Sequence, residues 1–199
     1  MIPSGDPCAP TPKVLVIALG NPDRGDDGIG AIVAQHLAGR LPRDVPLMVR
    51  RGAALSLIDD WNGFDAIVCI DAAAPLGAPG RIHRLDLDSS ELPQHMTFTS
   101  SHGLGLPEAI GLARALKSAP RRIIVYAIEG GSFDGGVPLT PAVSAAASAV
   151  AEQVLTDVSR LRSCTGEAAH ETLFPRTVAV GAREVDAAGE SPIARGRAI

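Results

Sequence analysis

Between residues 13 and 161, runs of consecutive apolar residues alternate with stretches in which apolar positions recur every three or four residues. Residues 13–19 (KVLVIAL), 66–70 (AIVCI) and 122–128 (RIIVYAI) are of the first kind, the pattern of strands covered on both faces. Residues 47–51 predict a shorter strand. Residues 80–87 predict another, reached through the Pro/Gly-rich turn from Ala74 to Pro79. So short a connection has no room for a crossover helix, and this strand is expected to run antiparallel to its predecessor. Of the second kind, residues 28–40 set Ile29, Ile32, Val33 and Leu37 along one helical stripe, the mark of an amphipathic helix. Residues 54–61 predict a short helix and 104–117 a longer one. Residues 141–161 predict a long Ala-rich helix opening on Pro141, whose fixed φ suits a first turn. The order βαβαββαβα predicts an α/β fold. It is a three-layer α/β/α sandwich around a twisted, mainly parallel sheet of about five strands, one of them antiparallel.

Both ends break this pattern. Residues 1–12 carry four prolines and read as a loose segment. Residues 163–199 lose hydrophobic periodicity and gather Gly, Ala, Ser, Pro and Arg, too little apolar surface to offset the entropy of ordering. They are expected to form a disordered tail, with 177–180 at most a short strand. One domain is therefore expected over residues 13–162. Composition narrows the class. The chain has 199 residues, 46% apolar, with a net charge of −4, which argues against a general nucleic-acid binder. No apolar run approaches the roughly 20 residues of a membrane helix. Residues 1–11 hold turn formers where a secretory signal would have its apolar core. Three widely spaced cysteines, Cys8, Cys69 and Cys164, read as reduced thiols rather than a disulfide framework. A cytoplasmic protein is expected.

In open α/β sheets, sites lie beyond the carboxyl ends of the strands, and three such places carry polar groups. The first is Gly20-Asn21-Pro22-Asp23-Arg24-Gly25-Asp26-Asp27-Gly28-Ile29-Gly30. One aspartate there suffices to cap a helix; the second leaves a carboxylate over, and Asp27 is the candidate. Which of Asp26 and Asp27 turns inward is open at this level. A phosphate loop is disfavoured, since the glycine and lysine pattern it needs is missing and three acids repel phosphate. The second place is Asp71, directly after the Ile67–Ile70 run, where an acid also serves simply to open a turn. The third is His102, in Ser100-Ser101-His102-Gly103-Leu104-Gly105; alone, a loop histidine reads as a solvated or capping residue. Taken together, two carboxylates and an imidazole are a ligand set for a metal such as nickel or zinc. Three protein ligands leave a position open for water or substrate, as in catalytic metal sites.

Other candidates carry less. His36 lies at the edge of its helical stripe and is expected to pack or snorkel. His83 alternates with Leu85 and Leu87 on a strand face. His95 and His170 sit in irregular polar stretches. Cys69 lies inside an apolar strand, where burial leaves a thiol inert. The Gly-x-Ser-x-Gly elbow is missing. Glu129, ahead of Gly130-Gly131, reads as a substrate-binding or supporting acid.

Leu19-Gly20-Asn21 through Asp26-Asp27-Gly28-Ile29-Gly30, then Ile70-Asp71-Ala72, then Ser101-His102-Gly103-Leu104-Gly105-Leu106 resemble the [NiFe]-hydrogenase maturation proteases. Tyr126-Ala127-Ile128-Glu129-Gly130 and Leu139-Thr140-Pro141-Ala142-Val143 are also similar to that family. The resemblance implies a single-domain α/β/α endopeptidase, of aspartic or metallo type, acting as a monomer. Its partner would be the hydrogenase large-subunit precursor, from which it removes a C-terminal extension after nickel insertion. It further implies Asp27, Asp71 and His102 as the metal-contacting and catalytic set, with Asp27 standing where some members have Glu. The nickel would be supplied by the substrate, with other divalent metals able to substitute; no organic cofactor is implied. Two other classes stay open. A non-enzymatic nickel-binding or chaperone module would use the same three residues, and a peptidyl-tRNA hydrolase-like enzyme would share the architecture but need a basic groove.

Overall fold

The computed structural model describes residues 10–51, 54–88, 97–98 and 105–163, main chain only at 54 and 55. All of them fall within one compact unit, Met1–Glu167. The expectations for residues 1–9, for the tail from 164 onward and for a strand at 177–180 lie outside the described residues.

The apolar runs become the strands. β1 (Val14–Leu19) and β3 (Ala66–Ala73) are buried along their whole length, and β5 (Arg122–Glu129) is buried after its first residue. β2 (Leu47–Arg50) and β4 (Ile82–Asp86) are only partly covered. The sheet order β2-β1-β3-β5-β4 follows from this difference: strands apolar on both faces take the middle, and strands with polar positions take the edges. The β1–β2, β1–β3 and β3–β5 pairs are parallel. β4 is antiparallel, as expected, but to β5 rather than to its predecessor β3. The more apolar β5, buried after its first residue, claims the place beside β3, and β4 is displaced to its far side.

Side chains alternate between two cores. Val16, Ala18, Val68, Ile70, Ile124 and Tyr126 face α1 (Ile29–Leu37) and α4 (Pro141–Ser163). Leu15, Ile17, Ile67, Cys69, Val125 and Ala127 face α2 (Ala54–Asp60) and α3 (Leu106–Ala115), with Leu57, Trp61 and Ile110 between them. The three layers are as the sequence predicts. α1 is shorter than the 28–40 stripe: Gly25–Gly28 forms a 3-10 turn before it, and it ends at Leu37, where Ala38 turns extended and Gly39 takes φ +73°.

One buried polar cluster fastens the β4 edge. The Tyr126 hydroxyl donates to Asp157 Oδ2 at 2.5 Å, and Arg84 donates to the same carboxylate through Nε (2.7 Å) and Nη2 (3.1 Å). Burial, and the carboxylate it serves, push the Tyr126 hydroxyl well above its ordinary range. Since Arg84 lies on β4, Tyr126 on β5 and Asp157 on α4, the cluster ties three elements together. Tyr126→Phe is expected to lower stability by about 2 kcal/mol, the worth of a hydrogen bond to a charged acceptor, measured by urea unfolding.

Candidate active site at the carboxyl ends of β1 and β3

β1 ends in Gly20, at φ +121°, where a Cβ would come within 1.8 Å of the Asp27 carbonyl oxygen. Only glycine permits that approach, and it folds the 3-10 turn back onto the strand end. Asp27 is thereby 2% exposed, and its Oδ2 accepts a hydrogen bond from the Asn21 N–H at 3.0 Å. Asp71 does not follow its strand, as expected, but lies inside it. β3 keeps pairing with β5 as far as Ala73↔Glu129, whereas β1 leaves at Ala18↔Ile70. Asp71 is therefore the first β3 residue past the reach of β1, on the same face as Cys69, and its Oδ1 accepts from the Ala72 N–H at 2.8 Å.

The two carboxylates sense each other. Asp71 is 5% exposed, and its pKa is pushed up to about 8, first by burial, against the Ala72 N–H bond that lowers it, and then by the charge of Asp27. At neutral pH Asp71 thus holds a proton beside Asp27. The sign of the linkage is fixed by the raised value. Asp71 contributes fully to stability below about pH 4, and that contribution is lost as pH rises through about 8, because the unfolded chain releases the proton first. Asp71→Asn, which mimics the protonated acid, is expected to unfold at about the same urea concentration as the parent at pH 4. At pH 8 it should be about 3 kcal/mol more stable, on the order of half the full linkage value. Parallel denaturation series at the two pH values check this.

Asp26 plays a different part from the capping role expected of an acid here. Neither the 3-10 turn nor α1 has a side-chain cap. Asp26 instead reaches across to the loop between β5 and α4. Its Oδ2 accepts from the N–H of Gly131 (2.7 Å) and Ser132 (3.1 Å) and from the Thr140 hydroxyl (2.9 Å), and its Oδ1 from the Thr140 N–H (2.6 Å). Burial raises its pKa, but the bonds from Gly131, Thr140 and Ser132 outweigh that and hold the carboxyl below its usual range. Asp26 binds the loop, whereas Asp27 is felt at Asp71 through its charge. Glu129, read as a substrate-binding or supporting acid, is fully buried; its Oε1 accepts from the N–H groups of Leu76 (2.6 Å) and Ala78 (2.5 Å). It fastens the turn that follows β3. Neither clamp is signalled by local sequence, since their partners lie 51 to 114 residues away.

His102 lies outside the described residues. Its described flanks are Phe98, bridged to Ala73 two residues beyond Asp71, and Gly105, the N-cap of α3. Among the described residues no three His, Cys, Asp or Glu form a metal-holding group; Asp27 and Asp71 provide two carboxylates. His36 is exposed rather than packed, because Leu37 takes the buried position beside it. Cys69 is fully buried and its thiol is pushed far up, by burial and then by the Asp71 charge, so it is inert as the strand context implies. His95 and His170 fall outside the described residues. No helix among the described residues is long and apolar enough to cross a membrane.

Comparison with known proteins gives this arrangement its class. The family model for hydrogenase maturation protease matches residues 44–157, a span that includes Asp71 and His102 and begins after Asp27. The hydrogenase expression/formation protein HupD of Rhizobium leguminosarum bv. viciae is 30% identical over 169 residues, covering 81% of this chain and 79% of that protein. The hydrogenase maturating endopeptidase HybD from E. coli superposes with a TM-score of 0.62 at 25% identity, over 74% of this chain and 93% of that one. The [NiFe] hydrogenase maturation protease HycI from Thermococcus kodakarensis KOD1 shares the fold, with a TM-score of 0.59 at 21% identity over 75% and 94% of the two chains. Fold and matches define a protein-cutting hydrolase. The chain belongs to the hydrogenase maturation protease family.

Proposed function

We propose that this protein is the endopeptidase that removes the C-terminal extension of a nickel-loaded [NiFe]-hydrogenase large-subunit precursor, and that Asp27, Asp71 and His102 recognise the nickel the substrate carries. The observation that carries the reading is the pair of buried carboxylates: Asp27 comes from the turn after β1 and Asp71 from within β3, and the charge of Asp27 raises the pKa of Asp71. Two buried acids within electrostatic reach of each other favour a proton or a cation at the site. An imidazole is the third donor that nickel prefers. In this reading the nickel is part of the substrate, fixed in its cysteine thiolates. Contact with the three residues orders the scissile peptide bond, and Asp71 gives up its proton as the metal arrives. A water then attacks the carbonyl, in keeping with a buried, inert Cys69 among the described residues. A precursor without metal lacks the group recognised, so cleavage follows metal insertion. The protein acts in the cytoplasm as a monomer, with residues 13–162 as the working domain, and other divalent cations fill the nickel position as probes.

The test is the intact mass of the source organism's own large-subunit precursor after incubation with this protein, with and without prior nickel loading. Loss of a C-terminal peptide only from the loaded sample is the expected result. An uncut precursor with nickel incorporation verified would overturn the protease reading in favour of a metal-binding assembly module.

A further inference from the structure

Arg24 opens the turn that carries Asp26 and Asp27, and its backbone is fixed on both sides. Its N–H donates to the Asn21 carbonyl at 3.0 Å, and its own carbonyl accepts from the Asp27 N–H at 3.1 Å. Gly25, next in the chain, takes φ +50° and lies so close to the Ser132 carbonyl oxygen that a Cβ would come within 2.7 Å of it. A four-residue turn closed in this way holds its end Cα atoms within about 7 Å of each other. Arg24 is thus rooted firmly beside Asp27.

Its side chain has no matching anchor. Among the described arginines, Arg24, Arg50, Arg122 and Arg162 are partly buried. Arg50 pairs with Asp60, Arg122 with Asp88 and Arg162 with Asp44, whereas the Arg24 guanidinium has no ion pair or hydrogen bond among the described residues. Acids are not lacking around it. Asp23 pairs with Arg51 at 3.0 Å, and Asp26 is taken up by the N–H groups and hydroxyl of residues 131–140. Asp27 accepts from the Asn21 N–H, and Asp134 from the Ser132 hydroxyl at 3.1 Å. Each of these carboxylates is engaged elsewhere. A guanidinium is charged at every working pH, and its planar fork of N–H groups fits a carboxylate in two-point contact. Partly withdrawn from water and without a counter-ion, it attracts an anion more strongly than a charge in bulk solvent does.

Resting on the protease reading above, we infer that Arg24 is a specificity-determining residue that grips a carboxylate of the incoming precursor. That carboxylate belongs to an acidic side chain close to the cut or to the free carboxyl terminus of the extension; both present the same pair of oxygens. The turn makes recognition and processing neighbours, because an acid held by Arg24 brings its own chain alongside Asp27. Arg24 takes no part in making or breaking bonds. A precursor without the acid is cut by the same chemistry but held less tightly, so discrimination falls on binding.

The experiment follows cleavage of the nickel-loaded precursor against precursor concentration for the parent protein, Arg24→Gln and Arg24→Lys. Two kinds of altered precursor accompany it. In one, each Asp or Glu near the cut is changed in turn to Asn or Gln; the other ends in a carboxamide, made by peptide ligation. Because the guanidinium has no partner to lose, both protein variants should unfold at the parent's urea midpoint. For Arg24→Gln the precursor concentration giving half-maximal rate should rise about tenfold or more, with the rate at saturation unchanged. Arg24→Lys should recover part of that loss. One altered precursor should show the same rise with the parent protein and no further rise with Arg24→Gln, the mark of a direct pair. An Asn or Gln precursor behaving so identifies a side chain as the source, and the carboxamide identifies the terminus. An unchanged half-maximal concentration overturns the inference, as does a rise that adds to that of every altered precursor. A loss confined to the rate at saturation also overturns it, and makes Arg24 a donor to the carbonyl oxygen instead. If the parent itself leaves the loaded precursor whole, it is the underlying protease reading that fails.

Discussion

Replacing His102 by Ala is expected to leave a folded protein that no longer shortens the nickel-loaded precursor, with cleavage reduced by about 1,000-fold or more. Asp71→Ala should behave alike. Each change removes one of three proposed contacts to a metal that fixes the scissile bond, and groups acting as a unit lose most of their effect when any one goes. Asp71→Asn gives the sharper experiment, because its two readouts move in opposite directions. The amide relieves the buried, charge-opposed carboxyl described above, so the fold gains stability, while the loss of an anionic oxygen removes the metal contact. Activity and stability are commonly traded at working sites in this way. The decisive data are electrospray masses of the precursor over time beside urea midpoints for the same samples. A stabilised Asp71→Asn protein that processes precursor at the parent rate would remove Asp71 from the mechanism.

The second large effect is structural. Asp26→Ala is expected to cost about 4 kcal/mol, near the upper end for a single substitution, and to lower the urea midpoint by about 2 M. The reason is the number of donors stranded at once: the N–H groups of Gly131, Ser132 and Thr140 and the Thr140 hydroxyl all end on this one carboxylate. Thr140→Val removes only the hydroxyl and should cost about 1 kcal/mol. Because Asp26 neighbours Asp27, Asp26→Ala should also slow processing, by letting the 3-10 turn drift. An Asp26→Ala protein as stable as the parent would show that water replaces the carboxylate at no cost.

The layers, the nine main elements and the antiparallel sense of β4 were all legible in the hydrophobic pattern, because fully buried strands and amphipathic helices write different periods. The neighbour of β4 was not, since pairing order depends on which strand needs cover on both sides. The end of β3 was also misjudged: Asp71 looks like a strand terminus when apolarity is the guide, but backbone pairing with β5 carries the strand past it. At the site, adjacent aspartates announced that one carboxylate exceeded local need, yet their division of labour depends on residues 131–140, far along the chain. The partners of Glu129, an acid the sequence did single out, and of Asp157 were hidden for the same reason. An acid that serves distant backbone or an edge-strand arginine looks, in sequence, like any other acid.

The sheet order also constrains how the protein is made. β4 is complete at Asp86, but its one sheet neighbour among the described residues, β5, begins at Arg122. During synthesis the ribosome therefore releases β3 with one flank open and β4 with nothing to bind, and both wait while the next helix emerges. Not until β5 slides between them do the Tyr126 and Glu129 tethers exist. A nascent chain arrested before residue 122 should accordingly remain protease-sensitive, and one arrested well beyond residue 163 should become resistant in a single step.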